Sequence, residues 1–286
     1  MNFEMSCAAR RRSGFAGRAF RGMAACALTV LAALLCGCGA DLESRETLYQ
    51  VSTLKALAEG VRDGETPVRE LLRRGDFGIG TFNGMDGEMV LVEDRCYQVR
   101  ADGTVAVAEG DRQTPFAAVT FFEARRLSVL KEDSDLAALG KRLDALLAGP
   151  NLPHAVCVSG DFSYLKLRSV ARQRKPYPPM AEVIRTQSVY ELKDARGILV
   201  GFYMPQYLEG VNLPGYHFHF LSEDRRRGGH VLACRGKDLL LALAPIPRLH
   251  LALPKEGEFL KADLRVRDGA ELQKAMQDPA PEIQKR

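Results

Sequence analysis

The stretch from residue 215 to residue 233 constrains this 286-residue chain more than any other. Gly215-Tyr216-His217-Phe218-His219-Phe220 is aromatic and alternating, the pattern of a β-strand. Successive side chains of a strand face opposite ways, so His217 and His219 share a face. A polar, charged run follows and ends in Gly228-Gly229, a turn signal. Val231-Leu232-Ala233 then reads as a returning strand, and a hairpin brings His230 back beside the other two histidines. Three of the chain's five histidines would then stand on one face of a two-stranded ribbon. Three imidazoles with coordination positions left open are a donor set for a divalent metal such as zinc. A histidine on a strand is more often a core or surface residue, and His-x-His alone is a weak signal. The number of histidines and their common face favour the metal.

Around this ribbon the pattern predicts many short strands and few helices. Strands are expected at 48–53, 77–82, 88–92, 95–99, 104–108 and 115–122, then at 155–159, 162–170, 196–204 and 237–244. The turns Asn83-Gly84-Met85-Asp86-Gly87 and Asp102-Gly103 make hairpins of 77–82 with 88–92 and of 95–99 with 104–108. Helices are expected at 53–59 and 67–74, the latter with Pro67 at its start and Gly75 after its end. Residues 133–147 carry a leucine stripe and form an amphipathic helix. Residues 180–191 read as either helix or strand, and the tail holds a short helix from Asp268. The fold class is α+β: two mixed or antiparallel β-sheet domains with flanking helices, and the metal site at their interface. The basic, proline-rich stretch 172–179 divides an N-terminal sheet domain (47–171) from a C-terminal metal-binding sheet domain (172–286).

The first 38 residues read as an export signal. Arg10, Arg11, Arg12, Arg18 and Arg21 precede an apolar run over 24–35, too short to span a bilayer comfortably. Leu35-Cys36-Gly37-Cys38 resembles a lipoprotein processing site, with Cys38 as the lipidated residue; an ordinary secretory signal cleaved near Ala40 is the alternative. Residues 39–46 form a tether. The chain is therefore expected outside the cytoplasm, on the periplasmic or extracellular face, with a lipid anchor as its only membrane contact. Much of the positive charge sits in this leader, and the formal net charge is only +4. No basic stripe with interleaved aromatics exists, which argues against nucleic acid as a partner. No Cys-x-x-Cys pair occurs in the body, which argues against a cysteine-held zinc.

An open metal needs an acid or a base beside it. Glu88, Asp86, Glu209, Glu223 and Asp224 are candidates, and the residue pattern does not choose among them.

Several blocks, in order, carry a family resemblance. They are Gly80-Thr81-Phe82-Asn83-Gly84-Met85-Asp86-Gly87-Glu88-Met89, Thr114-Pro115-Phe116-Ala117, Lys175-Pro176-Tyr177-Pro178-Pro179 and Gly201-Phe202-Tyr203-Met204-Pro205, followed by the histidine strands. Over residues 48–254 the chain resembles the acetolactate decarboxylases. The resemblance implies decarboxylation of 2-acetolactate, a 2-hydroxy-3-oxo acid, to acetoin through a zinc-bound enediolate, by a homodimer. It implies zinc on His217, His219 and His230, with Glu88, Arg168 and Thr81 as catalytic residues. The family also places a tail glutamate near the metal; Glu271 is the nearest glutamate here, although the spacing from His230 points to Met276 or Gln277. A passive zinc-holding lipoprotein and a three-histidine metal hydrolase are the competing readings. Retention of both Glu88 and Arg168 favours decarboxylation over a passive zinc holder.

Overall fold

The computed structural model describes residues 45–265. In chain order the elements are β1 (Thr47–Val51), α1 (Leu54–Ala58), β2 (Thr66–Pro67), α2 (Val68–Arg74), β3 (Phe77–Thr81), β4 (Glu88–Val92), β5 (Arg95–Val99), β6 (Val105–Val107), β7 (Gln113–Thr114) and β8 (Ala117–Thr120). They continue with β9 (Arg126–Leu130), β10 (Ser134–Asp135), α3 (Leu136–Asp144), β11 (His154–Ser169), α4 (Met180–Arg185), β12 (Ser188–Met204), β13 (Gly215–Ser222), β14 (Gly228–Pro245) and β15 (Arg248–Ala252). The protein is mostly β-sheet with a few short helices.

Two sheets dominate. The first has seven strands in the order β15-β1-β8-β3-β4-β5-β6, with β1 and β15 parallel and the other pairs antiparallel. The second is antiparallel, in the order β10-β14-β11-β12-β13, with β9 also on β14 and β13 returning to pair with β14. Sheet membership does not follow a division at residue 171. Strands β9, β10 and β11 precede that point yet lie in the second sheet, and β15 follows it yet lies in the first. The sheets also share one core: Ile79 and Val90 of the first pack in a cluster with Ala155, Val200 and Phe202 of the second. Phe77 meets Phe202 edge-on across that gap, with ring centroids 5.9 Å apart.

The expected helices form where capping favours them. Thr53 accepts from the Ala56 N–H at the start of α1, and Asp135 accepts from the Ala138 N–H at the start of α3. Gly75 ends α2 in extended backbone and not in the left-handed conformation. It is needed for room, because a Cβ there would lie 2.5 Å from the Thr120 carbonyl oxygen. The two strands expected around Gly160 are one, β11; the glycine marks a register shift against β14 and not a strand end. Residues 180–191 divide into both elements, α4 and then the start of β12. The strand expected at 237–244 is the far half of β14, which leaves β13 and continues along β11.

Candidate metal centre and active site

The histidines meet as the alternation requires. His217 and His219 belong to β13 and His230 to β14, and the register sets His219 opposite His230. One donor atom from each ring lies within 4.8 Å of the others. All three side chains are buried. His217 Nε2 and His230 Nδ1 are 3.1 Å apart. His219 Nδ1 donates to the Met89 carbonyl on β4 at 2.8 Å. That bond puts the proton on Nδ1 and turns the lone pair of Nε2 inward.

His219 Nε2 is buried with no hydrogen-bond partner, and Glu88 Oε2 faces it at 3.4 Å. This approach is not an ion pair. Burial lowers His219 to about 4, although the bond to Met89 opposes the shift. Burial likewise takes His217 well below its ordinary value, and His219 and Arg168 lower it further. His217 and His219 are therefore neutral, which is the state that ligates metal. A bare imidazole nitrogen and a carboxylate oxygen at this distance repel unless positive charge, a cation or a proton on Glu88, lies with them. Three imidazoles and one carboxyl group converging on a pocket fit a divalent metal.

Glu88 enters from the first sheet. It opens β4 just past the turn at 83–87, where Gly84, Met85 and Gly87 have positive φ. The turn is fastened on two sides: Gly87 N–H donates to the Val170 carbonyl at 3.0 Å, and Thr81 Oγ1 donates to the Gly87 carbonyl at 2.7 Å. Thr81 and Glu88 stand opposite each other across β3 and β4. Burial pushes the Glu88 carboxyl up to about 7 against the opposing pull of Arg168. Arg168 lies on β11 opposite His230, buried to 4 % exposure. Burial lowers its pKa and the Glu88 carboxylate opposes that shift.

Glu88, Thr81, Arg168 and the three histidines line one pocket with about 540 Å³ of empty space, solvent at its mouth included. Much of the remaining lining is apolar, from Leu54 and Leu57 of α1, Phe116, and Met180, Val183 and Ile184 of α4. The structure also divides the acidic candidates. Asp86 is paired with Arg112 at 2.8 Å, Glu223 with Arg196 at 3.5 Å, Asp224 accepts from Ser222, and Glu209 accepts from Gln206. None of these four lines the pocket, and Glu88 does. Cys38 and Glu271 lie outside the described residues.

Comparison with known proteins decides what this pocket belongs to. The family model described as alpha-acetolactate decarboxylase matches residues 48–266. The chain belongs to the alpha-acetolactate decarboxylase family. The alpha-acetolactate decarboxylase of Methanosarcina mazei is 46% identical over 219 residues, 77% of this chain and 76% of that protein. That of Klebsiella aerogenes is 37% identical over 217 residues, 76% of this chain and 84% of the relative. The X-ray structure of the alpha-acetolactate decarboxylase from Bacillus subtilis strain 168 superposes with a TM-score of 0.79 at 34% identity, covering 81% of this chain and 99% of that one. The chain is therefore an enzyme of the carboxy-lyase class, with the acetolactate decarboxylase function of its family.

Two features of the pocket escaped the sequence. Much of the apolar lining comes from helices of five and six residues, too short for a hydrophobic period to register. Gln187, buried at 8 % exposure, accepts from Arg168 Nη1 at 2.9 Å. A lone glutamine between two elements carries no sequence signal.

Proposed function

We propose that this enzyme converts 2-acetolactate to acetoin with zinc held by His217, His219 and His230, by way of an enediolate. The observation that carries the reading is the bare, buried Nε2 of His219 facing the Glu88 carboxylate at 3.4 Å, in the pocket that Arg168 also lines. When bound, zinc supplies a Lewis acid for the ketone and hydroxyl oxygens of the substrate and so favours the negative charge that departing carbon dioxide leaves behind. Arg168 offers a planar fork to the substrate carboxylate and holds it until the carbon–carbon bond breaks. The bonding electrons pass into the ketone and give the enediolate. Its carbon then takes one proton, and delivery from a single face sets the hand of the product. Glu88, which lines the pocket beside the histidine donor set, would hold and return that proton. Thr81 acts by fixing the turn that aims Glu88, since its hydroxyl proton is committed to the Gly87 carbonyl. The apolar walls keep bulk water from the reacting carbon.

The test is acetoin formation by purified protein before and after chelation, with zinc restored last. Chelation should abolish turnover and zinc should return it. Full turnover by metal-free protein would refute the metal, and no acetoin from zinc-loaded protein would refute the reaction.

The same reading places the enzyme outside the cytoplasm, anchored by lipid on Cys38 and working as a homodimer. A Cys38→Ser chain should move from the membrane to the soluble fraction, and unchanged membrane association would refute the anchor. Scattering that finds only monomer at micromolar concentration would refute the dimer.

A further inference from the structure

Gln187 lies in the two-residue link between α4 and β12. Its amide orientation is fixed by chemistry, because a guanidinium only donates and Oε1 must face Arg168. Its Nε2 is buried with no hydrogen-bond partner. Leaving a buried amide N–H unpaired costs stability, so the site is not optimised for folding alone. A carboxylate at 187 would pair more strongly with Arg168. It would also cancel the positive charge from that side. An amide accepts the hydrogen bond and carries no charge of its own. Gln187 further ties the guanidinium to the apolar wall of the pocket, since α4 just before it contributes Val183 and Ile184 to the lining.

We propose that Gln187 is the positioning residue of Arg168: it aims the guanidinium into the pocket without adding a counter-charge of its own, and so makes the site selective for a substrate that bears a carboxylate. This rests on the reading that Arg168 receives the substrate carboxylate.

The experiment uses the zinc-loaded full chain and the variants Gln187→Met, Gln187→Glu, Arg168→Ala and Arg168→Ala with Gln187→Met. The readouts are kcat, KM for acetolactate, zinc content, and the inhibition constant of 2-hydroxyisobutyrate, a hydroxy acid that has the carboxylate but no ketone. Gln187→Met should raise KM and the inhibition constant about tenfold, the worth of one hydrogen bond to a charged group, with kcat and zinc content nearly unchanged. Gln187→Glu should raise both constants at least as far, because the new carboxylate competes for the guanidinium. With Arg168 already removed, Gln187→Met should add nothing. Wild-type KM and inhibition constant in Gln187→Glu would overturn the inference, and that variant carries the test should Gln187→Met fail to fold. A Gln187→Met penalty that persists undiminished without Arg168 would overturn it as well. Arg168→Ala with both constants unchanged would instead refute the role given to Arg168 itself. Silent Gln187 variants beside a large Arg168 effect refute this inference alone.

Discussion

The two walls of the pocket are built by different means. The second sheet supplies the histidines and Arg168 from strands near one end of their pairing, where the register sets His230 opposite both His219 and, just past a shift at Lys166/Leu167, Arg168. The first sheet supplies Glu88 from just past a tight turn that depends on left-handed backbone and on hydrogen bonds to Val170 and Thr81. On the proposed reading one wall would hold metal and anion, and the other would present a single carboxyl. Binding and proton transfer should therefore be separable by wall.

The largest test breaks the holder. His217→Ala should lose stoichiometric zinc and activity together, weakening metal binding by several kcal/mol, roughly, because few protein ligands are present. A variant that keeps full zinc would show that the histidine wall does not hold the metal. Next comes the opposite wall. Glu88→Gln should keep its zinc while acetoin formation falls about 10²–10⁴-fold, the usual worth of general acid–base help. Loss of metal in that variant would erase the division of labour. Arg168→Lys should also keep zinc but raise KM about tenfold, because an ammonium cannot make the paired contact of a guanidinium. Unchanged KM there would assign Arg168 to the fold and not to the substrate.

The smallest effect concerns the metal-free protein. The Glu88 carboxyl is raised from 4.5 to about 7, so folding favours its neutral form. The stability it contributes is complete below the unfolded value and is lost as pH rises through the folded one. Metal-free wild type should therefore lose melting temperature relative to metal-free Glu88→Gln between about pH 4.5 and pH 7. A constant difference across that window would mean the carboxyl is not desolvated by its neighbours.

The histidine wall was legible because alternation is a local pattern and three residues repeat one message. The turn before Glu88 was legible through its glycines, yet nothing local distinguished Glu88 from Asp86 or Glu209, and only the family resemblance selected it. Arg168 was equally silent, since one arginine within a strand usually faces solvent. Long-range features were lost more completely. Strand β15 pairs in parallel with β1, about two hundred residues earlier, and no local pattern announces such a partner. Gly160 looked like a break because sequence cannot tell a bulge from a strand end. The first half of β12, Ser-Val-Tyr-Glu-Leu-Lys-Asp-Ala, alternates but is largely solvated, so its polar residues hid the strand that sets Arg168 opposite Val189.

The hydrogen bond from His219 to the Met89 carbonyl joins a ring on one sheet to the backbone of the other. The distance between the two sheets is thereby a mechanical setting of the donor set, and the packing of Ile79 and Val90 against Val200 between the sheets bears on that setting. Aliphatic residues that touch neither metal nor substrate act here like the bed of an instrument, and a methyl group gained or lost among them would detune the centre without entering it.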